Sequence, residues 1–352
     1  MSFTKIDGTR KGAPHTKGGG NVEMGGPNSN QVVEYVRSYD PRSWTCLHVD
    51  EGPLNCTNVT IQNNDVGPCG SDSYQQWADG ISVSCRNSVV RNNLVQNPTD
   101  GGIVLFGSPG TQVYNNTIWI VNQTLLGGIN LVDYEPFQGD FTGTVVRDNL
   151  ILGGFATNAE QPGEVKGTNQ GNAIIKIGIA VGPRVWFGKH FGTNVSRSGT
   201  VINNRFSGAF SFAMAVTSAQ NFTIRGNSLI GNTSFIGDRG PNCSHSHVVP
   251  NPSAFVLDTN LTQELNLQSN FQKIPDGDSL TCIVPPPGGD FWPFLGDLEG
   301  SRNRGLSRTT AVAIAFGLIG GVIVIAIISW YIRRWAQRRA VQRQKAESVN
   351  NT

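Results

Sequence analysis

The stretch RNSVVRNNLV, Arg86 to Val95, sets β-branched residues ahead of a pair of asparagines and closes on another apolar residue. With Asn87 as position zero, the same nine-residue pattern starts at Asn58 (NVTIQNNDV), Asn87 (NSVVRNNLV), Gly110 (GTQVYNNTI), Gly143 (GTVVRDNLI), Ser198 (SGTVINNRF) and Asn221 (NFTIRGNSL). Position three is always β-branched: Ile61, Val90, Val113, Val146, Val201, Ile224. Position six is always Asn: Asn64, Asn93, Asn116, Asn149, Asn204, Asn227. Position eight is always apolar: Val66, Val95, Ile118, Ile151, Phe206, Leu229. Six copies sharing three columns are an internal repeat, and each unit must bury its apolar side against the next.

The starts lie 29, 23, 33, 55 and 23 residues apart, so the shortest interval is one unit and the others carry insertions. Such an interval cannot hold a helix-turn-helix repeat of about 34 residues. A second apolar segment follows each copy: GISVS from Gly80, GIVLF from Gly102, GINLV from Gly128, AIIKIGIAV from Ala173, FAMAV from Phe212 and AFVL from Ala254. Two or three short strands per unit, stacked about 4.8 Å apart, predict an all-β fold, a right-handed parallel β-helix. A degenerate earlier coil is expected through VVEYVRSY (Val32 to Tyr39) and TCLHVD (Thr45 to Asp50). The Asn of position six is expected at the bend between strands, in a left-handed backbone, its amide bonded up and down the stack as a ladder. That role is structural and keeps these asparagines out of any catalytic set.

Composition fits a chain of turns. Glycine numbers 43 in 352 residues, and Asp, Glu, Lys and Arg make 15% against an average of about 25%. A net charge of +2 gives no basis for nucleic-acid binding. The run TTAVAIAFGLIGGVIVIAIISWYI, Thr309 to Ile332, has no charged residue, and at about 1.5 Å per residue it crosses a hydrocarbon core of about 30 Å. It predicts a single C-terminal transmembrane helix. Arg333, Arg334, Arg338, Arg339, Arg343 and Lys345 follow it, against Arg302, Arg304 and Arg308 before it, which places the tail in the cytoplasm and residues 1–308 outside. Gly317 and Gly321 form a GxxxG pair suited to weak dimerisation of the span. The expected organisation is an N-terminal extension over 1–29, a β-helix over 30–283, a Pro/Gly-rich stalk over 284–308, the span over 309–332 and a basic tail over 333–352. The opening MSFTKIDGTRKGAPHTKGGG has no apolar core for a secretory signal, which leaves a truncated start, the favoured reading, or a C-terminal span that is itself the targeting element.

Two features agree with an outward-facing chain. Ahead of Thr309, Asn-x-Ser/Thr triplets begin at Asn55, Asn58, Asn115, Asn122, Asn194, Asn221, Asn232, Asn242 and Asn260, although chance triplets are common in an Asn-rich sequence. Six cysteines, Cys46, Cys56, Cys69, Cys85, Cys243 and Cys282, all precede the span and predict disulfides. Cys56 and Cys85 each lie two residues before a repeat start. They should therefore sit on neighbouring coils, and a step of about 4.8 Å falls inside the ~4.4 to 6.8 Å that a disulfide spans. The simplest pairing of the rest is Cys46 with Cys69 and Cys243 with Cys282.

Connections after position eight run through 67–79, 96–101, 119–127, 152–172, 207–210 and 230–253, and are expected to wall a groove over the outer face of the second strands. With Leu47, Val49, Ile81, Val83, Ile103, Leu105, Ile129 and Leu131 inward, alternation turns His48, Asp50, Ser82, Ser84, Val104, Phe106, Asn130 and Val132 outward. Glycoside hydrolysis needs two carboxyl groups about 5 to 9.5 Å apart, one or two coils, and Asp50, Asp79 and Asp100 are the candidates. An Asp-Gly turn equally accounts for Asp79 and Asp100, which precede Gly-Ile and Gly-Gly-Ile. His48 is a candidate base, though a lone exposed His on a strand is usually inert. Lys176 and Arg184 suit a uronate, or Lys176 caps a coil edge. Trp77, Phe106 and Tyr134 suit stacking on sugar rings, with Asn130 as a polar contact, or else serve as packing. No metal-ligand spacing appears, His245 and His247 read as a loop, and no phosphate-binding Gly-rich loop precedes a helix, so no metal or cofactor is expected.

The coils from about Val32 to Leu257 resemble the right-handed parallel β-helix, pectin-lyase-like superfamily, and ADGISVSC followed by TDGGIVLFG is similar to its repeat-rich extracellular members. The resemblance covers most of the outer domain and implies a fold shared by polysaccharide lyases, polygalacturonases, uronate epimerases and non-enzymatic surface proteins. Its repeat pattern specifies fold and not reaction. The polygalacturonase signatures Asn-Thr-Asp, Asp-Asp, Gly-His-Gly and Arg-Ile-Lys are absent, and SYDPRSW (Ser38 to Trp44) is similar to the Asp-Pro-His element of alginate epimerases with Arg42 where His is expected. Two functions are therefore expected: a membrane-tethered lyase, hydrolase or epimerase acting on polysaccharide, or a non-catalytic surface solenoid that binds glycan or protein. Close carboxylates open to a groove mark the first, whereas an exposed aromatic strip suffices for the second.

Overall fold

The computed structural model describes residues 4–10, 19–25, 29–50, 54–71, 76–154, 174–235, 251–278 and 280–281. Position-three residues form one parallel eight-stranded sheet, in which Val33, Ile61, Val90, Val113, Val146, Val201, Ile224 and Leu267 pair in a single column. Position-eight residues form a second face, with Val66, Val95, Ile118, Ile151, Phe206 and Leu229 in register. The second apolar segments form a third, with Leu47, Ile81, Ile103, Ile129, Ile179, Met214 and Phe255 aligned. Apart from Leu229 and Leu267, at the C-terminal end of the stack, these columns are buried and make the core. The fold is a right-handed parallel β-helix.

The asparagine ladder is continuous. Nδ2 of Asn64 donates to Oδ1 of Asn93 at 2.9 Å, and the row continues through Asn116 (2.9 Å), Asn149 (3.0 Å), Asn204 (2.9 Å) and Asn227 (3.0 Å). Each Oδ1 also accepts the backbone N–H of the preceding ladder residue, and Gln268 extends the row beyond Asn227.

The left-handed backbone falls one residue earlier than expected. Position five carries it, at Asn63, Asn92, Asn115, Asp148, Asn203 and Gly226, with φ between 55° and 68°. The pair divides two incompatible tasks. The first residue turns the corner, where Asn, Asp and Gly tolerate positive φ, and this leaves the second free to aim its amide into the stack. Position zero turns the opposite corner in the same way, at Asn58, Asn87, Gly110, Gly143, Ser198 and Asn221.

A glycine column stands just before the aligned isoleucines. A Cβ on Gly80 would lie 2.4 Å from Val95 Cγ1, on Gly102 2.9 Å from Ile118 Cδ1, and on Gly178 2.8 Å from Phe206 Cδ1. Glycine is required there because position-eight side chains cross the coil on one side and the next coil's carbonyls crowd the same space, with Gly102 O, Gly128 O and Ala213 O 2.6, 2.4 and 2.5 Å from the same added Cβ atoms. Asp79 and Gly80 thus lie inside the strand Asp79–Val83, and the Asp-Gly turn expected at that point does not form. Likewise 207–210 is not a connection: Arg205–Val216 is one strand of 12 residues joining the second and third faces, with Gly208 at φ 97°.

Cys56 bonds Cys85 with a Cα separation of 4.9 Å, and Cys46 bonds Cys69 at 6.0 Å, while Cys243 and Cys282 lie outside the described residues. Strands Thr4–Asp7 and Val22–Met24 precede residue 30 and pair with Val36–Tyr39 and Thr45–Val49, adding rungs ahead of the first repeat. The stalk, the run from Thr309 to Ile332 with its Gly317 and Gly321 pair, and the basic tail lie outside the described residues. Among the described residues no helix is long and apolar enough to cross a membrane.

Candidate functional site

The outer face of the second strands alternates as expected, but it is not an open polar groove. Glu23, His48, Ser82, Val104, Asn130, Ala180, Ala215 and Val256 stack in one outward column. Ser82, Ser84, Val104, Asn130 and Val132 are nevertheless buried. A second apolar layer covers the later coils, where Ile177, Ala180, Phe212, Ala215 and Val256 cluster with Leu126, Val185, Trp186 and Leu280. The helix Pro183–Phe187 supplies Val185 and Trp186. Apolar outward positions demand such a cover, since each buried large side chain contributes about 1.5 to 3 kcal/mol. Trp77 belongs to this layer at 5% exposure, so it is packing and not a platform for sugar.

Polar groups gather at the earlier coils. The Asp79 carboxyl accepts Ser82 Oγ on Oδ2 at 2.9 Å and the Gly101 N–H on Oδ1 at 2.7 Å, and Ser82 Oγ lies 3.1 Å from Thr45 Oγ1. Burial pushes Asp79 up to about 7, against the pull of those two hydrogen bonds. Asp133 follows the outward Val132. The residue is half-buried, and its carboxyl is held well above the usual range, first by desolvation and then by the charge of Asp79. Asn130 adjoins Asp79: a Cβ on Gly101 would lie 2.9 Å from both Asn130 Nδ2 and Asp79 Oδ1. Asn130 Oδ1 is buried with no hydrogen-bond partner among the described residues.

His48 is not isolated. Its Nδ1 bonds Glu23 Oε1, the Trp44 ring stands 4.6 Å away and the half-exposed Phe106 ring 6.4 Å away. Asp50 follows the strand Thr45–Val49, with its N–H on Met24 O. Asp100 precedes Gly101–Leu105, where its backbone bonds Ala78 and Gly127. Lys176 is 1% exposed as the second residue of the strand Ile175–Val181, so it neither caps a coil edge nor offers an open cation. Arg184 is also engaged, its Nε and Nη2 each 2.5 Å from the Asp278 carboxylate, which raises its own pKa with help from Asp258 and Asp276. Those three carboxylates approach within 4.8 Å of one another, but Asp258 accepts Asn260 and Gly277 N–H groups and Asp278 faces Arg184.

Tyr134 joins an aromatic strip that sequence reasoning missed. Its ring lies 5.5 Å from Phe191, which stands 5.3 Å from Phe187 and 4.4 Å from His190, all at least partly exposed. Phe187, His190 and Phe191 follow an insertion and no repeat column points to them. Asp133 had a signal, because it directly follows the outward positions Asn130 and Val132. Glu23 was findable by treating VEM as a rung under LHV.

A protein family described as the right handed beta helix region matches residues 46–188. Among solved structures, the chain is similar to a mutant DFA-IIIase from Arthrobacter chlorophenolicus A6 in complex with DFA-III, at 14% identity and a TM-score of 0.35, covering 67% of this chain and 56% of that one. It is also similar to the Agl-KA catalytic domain, at 15% identity and a TM-score of 0.27, covering 70% of this chain and 47% of that one. The chain therefore spans about half the length of each. No curated protein matches. The region matched by the family includes the coils that carry Asp79 and Asp133.

Proposed function

We propose that the protein is a surface β-helix, anchored by Thr309 to Ile332 with its coils outside the cell, that takes polysaccharide at the early-coil end of the outer face and protonates it from Asp133. The observation that carries this reading is a pair of carboxyls at the early coils, Asp79, pushed up to about 7, and the half-buried Asp133, held well above the usual carboxylate range. A departing glycosidic oxygen needs a proton from an acid of that kind. Asp79 has both oxygens engaged by protein groups and little exposure, so its part is positional: as it ionises, its charge strengthens the hold of Asp133 on a proton. Asp133 keeps access to the surface, and its neighbour Tyr134 with Phe191 offers ring faces on which a pyranose can stack.

A non-catalytic glycan-binding role is favoured by a different observation, the saturation of Asp79 by Ser82 and Gly101. One experiment separates the two. The purified full-length chain is incubated with a panel of neutral and uronate-containing polysaccharides and scored for retention, reducing ends and unsaturated products. Turnover that falls about 100-fold or more in Asp133→Asn while retention persists supports acid catalysis. Retention without turnover leaves the binding role, and absence of both across the panel removes carbohydrate from the account.

A further inference from the structure

We infer that the exposed Asn-x-Ser/Thr asparagines are N-glycan acceptors, placed so that sugar covers corners of the coils and the strand Ser228–Phe235 near the C-terminal end of the stack, and leaves the earlier strands of the candidate face bare. This rests on the extracellular placement proposed above. Asparagine has two opposite fates in this fold. The ladder residues Asn64, Asn93, Asn116, Asn149, Asn204 and Asn227 are buried, and none of them begins a triplet. All eight triplet asparagines within the described residues are exposed. The contrast is sharpest at Asn115 and Asn116. In that pair the triplet falls on the residue that turns outward with φ 55°, while its neighbour is 1% exposed in the ladder.

Position in the coil follows the same logic. Asn58 and Asn221 occupy position zero and Asn115 position five, corners where a left-handed residue turns its side chain away from the core. Asn55 lies one short step ahead of the first of these. Asn122 and Asn260 are exposed in turns beyond the repeat columns, Asn232 is exposed within the strand Ser228–Phe235, and Asn194, whose N–H bonds Phe191 O, borders the aromatic strip. Strands Asp79–Val83, Gly101–Leu105, Leu125–Leu131 and Ile175–Val181 contain no acceptor triplet. A bulky polar oligosaccharide is tolerated only where the amide already faces water, and there the modification costs the fold no buried hydrogen bond.

The step balances without redox chemistry. The asparagine amide nitrogen bonds to C1 of an oligosaccharide carried on a lipid diphosphate, the C1–O bond to the diphosphate breaks, the lipid diphosphate leaves with that electron pair, and the amide gives up one proton. The full chain is expressed in a eukaryotic cell, protease is added to intact cells to report which side the coils occupy, and the protein is treated with a peptide amidase that removes N-glycans and leaves Asp. Expected is a fall in mass on amidase treatment, with Asp at exposed triplet positions and Asn retained at Asn116 and Asn227. Asn115→Gly, which suits the left-handed backbone, should lose one glycan step while remaining folded. Coils that are protease-accessible yet unmodified would overturn this inference and leave the placement standing. Coils that are protected and unmodified would overturn the placement and the inference with it.

Discussion

Asn115 and Asn116 carry the same side chain to opposite ends, and the energetic consequences differ accordingly. Asn116 donates to Val90 O and Asn149 Oδ1 and accepts from the backbone and side chain of Asn93, all out of water. Asn116→Ala strands those partners and should destabilise the protein by roughly 2 to 4 kcal/mol in urea unfolding. Asn115→Gly should shift the same midpoint by no more than about 0.5 kcal/mol, whereas Asn115→Val, β-branched at positive φ, should cost about 1 to 2 kcal/mol. Asp79 makes a pH prediction. With a folded value of about 7 and an unfolded value near 3.9, the folded state holds the proton more tightly, so stability is full below about pH 4 and falls as pH rises toward 7. Asp79→Asn, which cannot ionise, should flatten that decline and be the more stable form at pH 8, as read by melting temperature across pH. The ladder residue was legible from sequence because it recurs at a fixed offset from its β-branched partner. Which member of the pair turns the corner was not, because both residues are Asn in four of the six copies and only backbone geometry separates them.

At the scale of the strand, register is held by columns that cross the coil. Gly102 has Gly128 O at 2.4 Å and Ile118 Cδ1 at 2.9 Å from any added Cβ, so Gly102→Ala should cost about 1 to 3 kcal/mol and lower the melting temperature, although alanine is the better residue in an open strand. A paired reduction, Gly102→Ala with Ile118→Val, should recover only a minor part of the loss, because the carbonyl of Gly128 is the nearer obstacle. The disulfide Cys56 to Cys85 joins two adjacent rungs across 29 residues of chain. Replacing both by Ala should destabilise the protein by about 2 to 4 kcal/mol, seen as a lower urea midpoint. The six repeat strands and their partners were readable because like residues recur over like. The cover over the third face was not, since Val185, Trp186 and Leu280 reach it from segments outside every repeat column.

At the scale of the molecule, a stack of nearest-neighbour coils should tolerate the loss of a whole one. Deleting Asn87 to Pro109, one 23-residue unit, sets Arg86 against Gly110, returns Asn64 to an asparagine partner in Asn116, and keeps Cys56 with Cys85. That variant should fold with β-sheet circular dichroism and a lower melting temperature. A deletion one residue longer turns inward side chains outward and should not fold. The sequence by itself determined the coil, its register, the ladder and the first interstrand disulfide, because each follows from identical residues meeting at one repeated spacing. Packing of distant segments settled the rest: the expected groove has an apolar cover, Lys176 is buried, Arg184 is held by Asp278, and burial raises the Asp79 and Asp133 carboxyls. Burial and carboxyl ionisation depend on what insertions lay over a face, and no local period in the chain encodes that.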